Sequence, residues 1–208
     1  MEYLIHLAIL VSIYSILAIS LNLIIGYTGM LSVAHAAFYG IGAYSVGLLT
    51  KNLGVNFFHA MLIGVFITAI ISLLIGYALS RLKGDYFALA SFGFNIIIFS
   101  ILLNWQSVTT RQPGVFGIGR SSIFGFSLDV NMYFLALAAL VAVIVYYFSE
   151  FLTKSSFGRI LKSIREDEEM ISVFGYKTIN YKLTIFVIGS VIASIAGALY
   201  ASYISFID

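Results

Sequence analysis

The chain has 208 residues, of which 61% are hydrophobic and 10% are charged, and its formal net charge is +2. Soluble domains carry about 25% charged residues, so this composition excludes an ordinary soluble fold. The chain contains no cysteine, which excludes disulfides and thiolate metal sites, and the small net charge gives no sign of a nucleic-acid partner.

Three long apolar runs indicate membrane-spanning helices. Residues 3–25, 57–79 and 183–207 each exceed the roughly 20 residues that a helix needs to cross about 30 Å of hydrocarbon. No ten-residue segments alternate in polarity as a membrane barrel requires. The sequence therefore predicts an all-α, polytopic membrane bundle.

Three further runs are shorter or less apolar, at residues 33–49, 86–103 and 132–148. The first is rich in Gly, Ala and Ser, so a broken or re-entrant element is the alternative to a full span there. With all three counted, we expect about six transmembrane helices in a single domain over residues 1–208. The long loop 104–130 contains the only proline, Pro113, and is either a plain connector or a structured cap.

The distribution of Lys and Arg predicts the orientation. With six spans, the loops 80–85 and 151–182 lie on one side and carry eight of the eleven positive residues, whereas the opposite side carries three. The more positive side is expected to be cytoplasmic, which places the N-terminus outside. A cleaved signal peptide is not expected, because the first span lacks a basic preceding region.

Small residues recur at four-residue spacing in two spans. Ser32, Ala36 and Gly40 form one stripe, and Gly189 and Gly197 belong to another. Such stripes allow helix backbones to approach closely in lipid, but small side chains also leave room for a pathway. His35 is the ionisable group deep in the second span, where pathway contact and a helix-to-helix hydrogen bond are the alternatives. The candidate translocation-pathway residues are Asn22, Gly26, Gly29, His35, Gly40, Gly42, Gly189 and Gly197.

No catalytic arrangement is visible, so we expect neither enzymatic activity nor a cofactor nor a metal. Three histidines, no cysteine and no carboxylate pair within the spans leave nothing to activate water or hold zinc. The chain also lacks a GxxxxGK[ST] phosphate loop, so it cannot bind ATP by that route. Any energy source must therefore lie on another subunit or in an ion gradient.

The loop 151–182 is the strongly charged segment of the chain and holds six of the eleven Lys and Arg residues. Phe157, Leu161 and Ile164 share one face of a predicted helix, while basic residues and then an acidic run occupy the other faces. Gly175 can end this helix. The segment either rests on anionic lipid or docks in a groove of a partner protein.

Three stretches resemble the permeases of branched-chain amino acid ABC importers of the LivM type. They are LNLIIGYTGMLSVAHAAFYGIGAY, RLKGDYFALASFGF and SSFGRILKSIREDEEMISVFGYKTINYKLTIFVIGSVIASIAGALYA, in that order. The resemblance implies a subunit in the cytoplasmic (inner) membrane of a prokaryote, in contact with membrane lipid. It also implies pairing with a second permease subunit and two ABC ATPase subunits, and receipt of an amino-acid substrate from an extracytoplasmic binding protein.

The same resemblance assigns the loop helix, residues 157–175, as the coupling helix that is seated in the ATPase. The general ABC pattern there is Glu-Ala-Ala, three residues, then Gly. Here Glu169 and Gly175 match, whereas Met170 and Ile171 replace the two alanines. The implied ATPase-coupling residues are Phe157, Gly158, Arg159, Arg165, Glu166, Asp167, Glu168, Glu169 and Gly175.

The sequence leaves the extent of the domain, the substrate and the class of membrane protein open. Permeases of this type continue with further spans, so we expect that the domain is incomplete at its C-terminal end. The substrate is also open, because urea or short amides are alternatives to branched-chain or hydrophobic amino acids. A stand-alone channel or facilitator, and a purely structural scaffold, are alternatives of another class.

Overall fold

The computed structural model describes residues 2–82, 84–104 and 131–205 with their side chains, together with the backbone of four two-residue strands. The helices are α1 (Glu2–Thr28), α2 (His35–Leu53), α3 (Phe57–Leu79), α4 (Asp85–Asn104), α5 (Asn131–Lys154), α6 (Ser156–Glu166), α7 (Glu168–Val173) and α8 (Thr178–Ile204). The strands are β1 (Val115–Phe116), β2 (Ser122–Ile123), β3 (Phe126–Ser127) and β4 (Phe206–Ile207).

Among the described residues, five helices are long and apolar enough to cross a membrane: α1, α3, α4, α5 and α8. The predicted all-α polytopic bundle is therefore confirmed, and the chain is an integral membrane protein. The sixth expected span, 33–49, corresponds to α2, a continuous helix of 19 residues that is less apolar than the other five. At 1.5 Å per residue its length is about 28 Å.

Helix α8 lies at the centre of the bundle and packs against α1, α2 and α3. Helices α4 and α5 lie at the periphery, so most of their large apolar side chains face outward. This arrangement agrees with the small-residue stripe of α8, since a central helix must meet several neighbours at short distance.

The connection between α1 and α2 runs back into the bundle as an extended segment. Met30, Ser32 and Ala34 are buried, while Leu31 and Val33 between them are exposed, which is the two-residue alternation of extended chain. His35 at the start of α2 hydrogen-bonds Ser20, which lies eight residues, or about 12 Å, before the end of α1. Non-helical backbone at this depth is tolerated because protein covers it on one side.

Helices α6 and α7, the end of α1, the start of α4 and the start of α8 meet at one end of the bundle, here called the charged end. At the opposite end β1 pairs antiparallel with β4, which attaches part of the loop 104–130 to the end of α8. The strands β2 and β3 pair with each other. The remainder of that loop, including Pro113, lies outside the described residues.

Candidate functional site

The charged segment forms two helices rather than the single helix over 157–175 that the sequence predicts. Asp167 takes an extended conformation (φ −152°, ψ 98°) between α6 and α7. Its Oδ1 accepts a hydrogen bond of 2.9 Å from the backbone N–H of Met170 and so caps α7. Glu168 and Glu169 fill the first turn of α7, where carboxylates interact favourably with the helix dipole.

Helix α6 is fixed to the bundle by its apolar face. Leu161 and Ile164 are buried, and the ring of Phe157 lies 5.5 Å from that of Tyr181 on α8. Gly158 packs directly against the carbonyl of Thr153, where a Cβ atom would overlap the α5 backbone. The predicted apolar face of this segment is thus a contact with the chain's own helices.

Two basic side chains of α6 join it to the end of α1. Arg165 donates a hydrogen bond of 2.6 Å to the carbonyl of Gly26, and Lys162 lies 5.3 Å from the ring centre of Tyr27. The position of a Cβ on Gly29 would lie 3.3 Å from Arg165. Gly26 and Gly29, predicted as pathway residues, are therefore contacts of the charged segment.

A partly buried ion pair ties α7 to α8. The Nζ of Lys182 lies 3.0 and 3.1 Å from the two carboxylate oxygens of Glu168, and Thr178 donates to the same carboxylate at 3.2 Å. The Lys182 side chain is 5% exposed and the Glu168 side chain is 25% exposed. Lys182 and Thr178 were absent from the predicted site. Their partner, Glu168, lies 14 and 10 residues earlier in the chain, on a different helix, so no helical spacing links them to it.

The end of α7 presents apolar side chains at the surface. Gly175 (φ +87°) ends the helix: its N–H bonds the carbonyl of Ser172, and the N–H of Tyr176 bonds that of Ile171. Val173 and Phe174 just before it are 85% and 70% exposed. Among the predicted coupling residues, the exposed charged ones are Arg159, Arg165, Glu166, Asp167 and Glu169.

The glycine stripes of α2 and α8 form a closed helix–helix contact. A Cβ on Gly197 would overlap the carbonyl of Tyr39, and one on Gly42 would overlap the carbonyl of Ser194. A Cβ on Gly189 would lie 2.7 Å from Ile24 of α1. For these three predicted pathway residues the geometry favours the alternative interpretation, close packing.

The remaining predicted pathway residues, His35, Asn22 and Gly40, lie in three different surroundings and do not form one site. His35 is buried, and its Nε2 lies 2.7 Å from Oγ of Ser20, while its Nδ1 has no hydrogen-bond partner among the described residues. Asn22 is exposed on α1, with its carboxamide beside Gly26. Gly40 faces α4 and lines a cavity.

One cavity lies on each side of a cluster of phenylalanines that includes Phe87 and Phe94 of α4. The first, of about 330 Å³, lies among α2, α4 and α8 and is called the α4 cavity; its lining includes Tyr39, Gly40, Asn95, Leu102 and Tyr200. The second, of about 350 Å³, lies at the charged end and is lined by the end of α1, the start of α4, α6, α7 and Lys182.

The phenylalanine cluster joins α2, α4 and α8 between these cavities. The ring of Phe38 lies 5.5 Å from that of Phe94 and 5.6 Å from that of Phe186, and Phe87 lies 6.2 Å from Phe186. All four side chains are buried. Phe94 directly precedes Asn95, which lines the α4 cavity, and Phe87 lines the cavity at the charged end. Aromatic rings in tilted and edge-to-face contact thus lie between these two cavities.

Within the described residues, no group of three or more His, Asp or Glu side chains is placed to hold a metal ion. The geometry is that of a closed membrane bundle with a charged, partly apolar surface at one end. The family model described as "Branched-chain amino acid transport system / permease component" matches residues 3–208. The chain belongs to this family.

Individual relatives agree with the family match. The chain is 31% identical to the "High-affinity branched-chain amino acid transport system permease protein LivM" of Escherichia coli and 29% identical to that of Salmonella typhimurium, in each case over 98% of the chain and 53% of the relative. It is 27% identical to the "Probable branched-chain amino acid transport permease protein LivM" of Methanocaldococcus jannaschii, over 92% of the chain and 65% of the relative.

The chain therefore spans about half the length of the bacterial LivM relatives. No solved structure matches the chain.

Proposed function

We propose that the chain is a permease subunit of an ABC importer in the inner membrane of a prokaryote. Its cargo is a branched-chain or other hydrophobic amino acid. The single observation that carries this proposal is the attachment of the charged segment, whose α7 is tied by a partly buried ion pair to α8, the central helix of the bundle. The names of the relatives support the cargo.

The proposed route of force runs from α7 to the bundle. A partner ATPase contacts the exposed surface of α7, including Val173 and Phe174. An exposed apolar patch rimmed by charges is typical of a surface that a partner covers. When the ATPases close, α7 moves with them, and the Glu168–Lys182 pair transmits the movement to α8.

The partners follow from this proposal. They are two ABC ATPase subunits, a second permease subunit and an extracytoplasmic substrate-binding protein. The charged end faces the cytoplasm in this proposal, in agreement with the excess of Lys and Arg there, so the N-terminus lies outside. The chain itself is a transport subunit, and ATP hydrolysis takes place on its partners.

The proposed activity is tested by uptake of labelled leucine into cells or vesicles that contain the chain with its partner subunits. We expect uptake that requires ATP and that unlabelled leucine competes with more strongly than urea. Uptake that persists after ATP is removed would indicate a stand-alone facilitator instead. Stronger competition by urea would indicate a permease for short amides.

Placing a charge on α7 is expected to separate ATP hydrolysis from uptake. Val173→Asp introduces a carboxylate into the proposed ATPase contact, so we expect leucine uptake to fall at least about tenfold, equivalent to about 1.4 kcal/mol of lost coupling. Glu169→Arg should act in the same direction. The matched control is Asn180→Asp, which adds the same charge at an exposed position of the first turn of α8. Equal uptake by Val173→Asp and this control would contradict the docking surface.

The end of α7 provides a second test of the same contact. Gly175→Pro removes an N–H that bonds Ser172 and demands a negative φ where the chain has φ +87°. We expect the variant to insert normally but to lose ATP-driven uptake, because the exposed side chains of α7 change direction. Membrane amounts are compared by immunoblot and uptake by leucine flux. Normal uptake at normal amounts would show that this helix end has no part in coupling.

A further inference from the structure

We propose that the α4 cavity is a binding site for a zwitterionic α-amino acid with a branched aliphatic side chain. This inference rests on the proposed function and deepens it, because it places the substrate among α2, α4 and α8 rather than along the α2–α8 glycine stripe. The volume of about 330 Å³ lies in the usual range of small-molecule sites.

The cavity has a polar region and an apolar region. Asn95 lines it on α4, whereas Leu102 and Leu103 line it about two helix turns further along that helix, or about 10 Å from Asn95. Ile204 of α8 adds a second apolar wall. A polar region and a separate aliphatic region match the two parts of a leucine-like molecule.

An unsatisfied hydroxyl points to a polar ligand group. The hydroxyl of Tyr39 is buried and has no hydrogen-bond partner among the described residues. The hydroxyl is enclosed by protein, so a ligand in the cavity reaches it only when the Tyr39 side chain rotates. A buried polar group without a partner costs about 1–3 kcal/mol, and a ligand that supplies a partner favours this rotation. A lipid acyl chain supplies none. The rings of Tyr39 and Tyr200, 5.7 Å apart, also offer faces to an ammonium group.

The start of α2 favours a carboxylate in the same region. Ala36 and Ala37 of its first turn line the cavity, and Ala34 at the N-cap gives no side-chain hydrogen bond to the helix. The positive end of the helix dipole lies there. The carboxylate is therefore expected near the first turn of α2 and the ammonium at the tyrosine faces.

The lining also argues against other cargo. Among the described residues, no Asp, Glu, Lys or Arg lines the α4 cavity, so a charged side chain would lose its hydration without gaining a partner from them. Urea would satisfy the polar region but leave the walls formed by Leu102, Leu103 and Ile204 unfilled. A neutral aliphatic side chain fits both conditions.

The absence of native cysteine makes the site directly testable. Gly40→Cys places one thiol on the cavity wall at a position where a Cβ would make only an ordinary contact with Leu102, at 3.4 Å. Membrane vesicles containing the full chain are treated with a small water-soluble thiosulfonate, with and without leucine. At about ten times the Kd of leucine we expect the reaction to slow about tenfold, since the unoccupied fraction falls as 1/(1 + [L]/Kd).

Two matched variants serve as controls. Gly93→Cys, a glycine of α4 with open space beside it, should show no leucine protection. Val173→Cys, exposed on α7, should react rapidly with or without leucine. Lysine and glutamate should not protect Gly40→Cys, because the cavity offers no partner for a charged side chain.

Tyr39→Phe in the Gly40→Cys background tests the role of the hydroxyl. The substitution keeps the ring and removes a group that has no hydrogen-bond partner among the described residues, so the fold should be preserved. We expect half-protection to require about tenfold more leucine, the effect of about one hydrogen bond to a charged group. An unchanged concentration would overturn the assignment of this hydroxyl to the ligand.

Each outcome bears on the proposal. If Gly40→Cys does not react, lipid fills the cavity and the site is wrong. If it reacts and leucine does not protect it while leucine uptake is normal, the site is wrong but the proposed function stands. If urea protects and leucine neither protects nor is taken up, the proposed cargo fails and the cavity takes a short amide.

Discussion

Glu168→Gln is expected to detach α7 from the bundle. The substitution leaves Lys182, which is 5% exposed, without its carboxylate partner. An uncompensated buried charge is strongly destabilising, and because Glu168 is 25% exposed and partly screened we expect a local loss of about 2–3 kcal/mol. Under the proposed function, ATP hydrolysis continues while leucine uptake falls sharply, since the movement of α7 no longer reaches α8.

Hydrogen exchange measured along the chain checks this expectation. Amides of α7 should exchange about 30-fold faster or more in Glu168→Gln, which corresponds to about 2 kcal/mol, whereas amides in the middle of α8 should not change. The matched control is Glu150→Gln, which breaks the exposed pair between Glu150 and Lys154. Such surface pairs contribute about 0–1 kcal/mol, so little change is expected there.

The reverse substitution should be milder, because the two partners differ in burial. Lys182→Met leaves an apolar chain in the buried position and leaves Glu168 partly in contact with water and bonded to Thr178. We therefore expect less local unfolding than in Glu168→Gln but a similar loss of uptake, since the connection between α7 and α8 is broken in both. Equal destabilisation by the two variants would contradict the burial argument, and normal uptake by both would contradict the proposed transmission.

The fold could be predicted from sequence because hydrocarbon imposes one strong condition. A run of about 20 apolar residues has few alternatives to a spanning helix, so α1, α3 and α8 follow from composition alone. The start of α2 could not be predicted in this way. Its position depends on tertiary hydrogen bonds, such as that between Ser20 and His35, which leave no periodic signal in the sequence.

The division of the charged segment at Asp167 had a readable signal. An Asp followed by Glu168 and Glu169 is a common N-terminal pattern, with a capping carboxylate and acidic residues in the first turn. The apolar spacing of Phe157, Leu161 and Ile164 instead predicted one helix that continues to Gly175. The Glu168–Lys182 pair had no such signal, because 14 residues and a glycine turn separate the partners.

The small-residue stripes predicted close helix approach first, with a pathway as the alternative. Spacing alone indicates that helix backbones can meet, and Gly42 and Gly197 do lie where α2 and α8 touch. Choosing between packing and a pathway required the position of α4, because the cavity lies between α4 and the α2–α8 pair and not between α2 and α8 themselves. The cavity residues Tyr39 and Asn95 were hidden, because tyrosines and asparagines are common in membrane helices for other reasons.

Gly197→Ala is expected to force α2 and α8 apart. A Cβ at this position would overlap the backbone carbonyl of Tyr39 and lie 3.2 Å from the backbone nitrogen of Ala43. Backbone atoms cannot rotate aside as a side chain can, so one helix must shift along much of its length. We expect a loss of about 3 kcal/mol in stability, the upper part of the usual overpacking range.

The comparison that isolates this effect is Gly93→Ala on α4, which adds the same methyl group where no atom lies within 4 Å. That variant should be unchanged or slightly more stable, because alanine favours helix over glycine by about 1 kcal/mol. Thermal inactivation of the solubilised chain, followed by size-exclusion chromatography, gives both values under identical conditions. Because Tyr39 lines the α4 cavity, Gly197→Ala should also weaken leucine protection of Gly40→Cys, whereas Gly93→Ala should not. Equal stability of the two alanine variants would mean that α2 and α8 are not in close contact in the membrane.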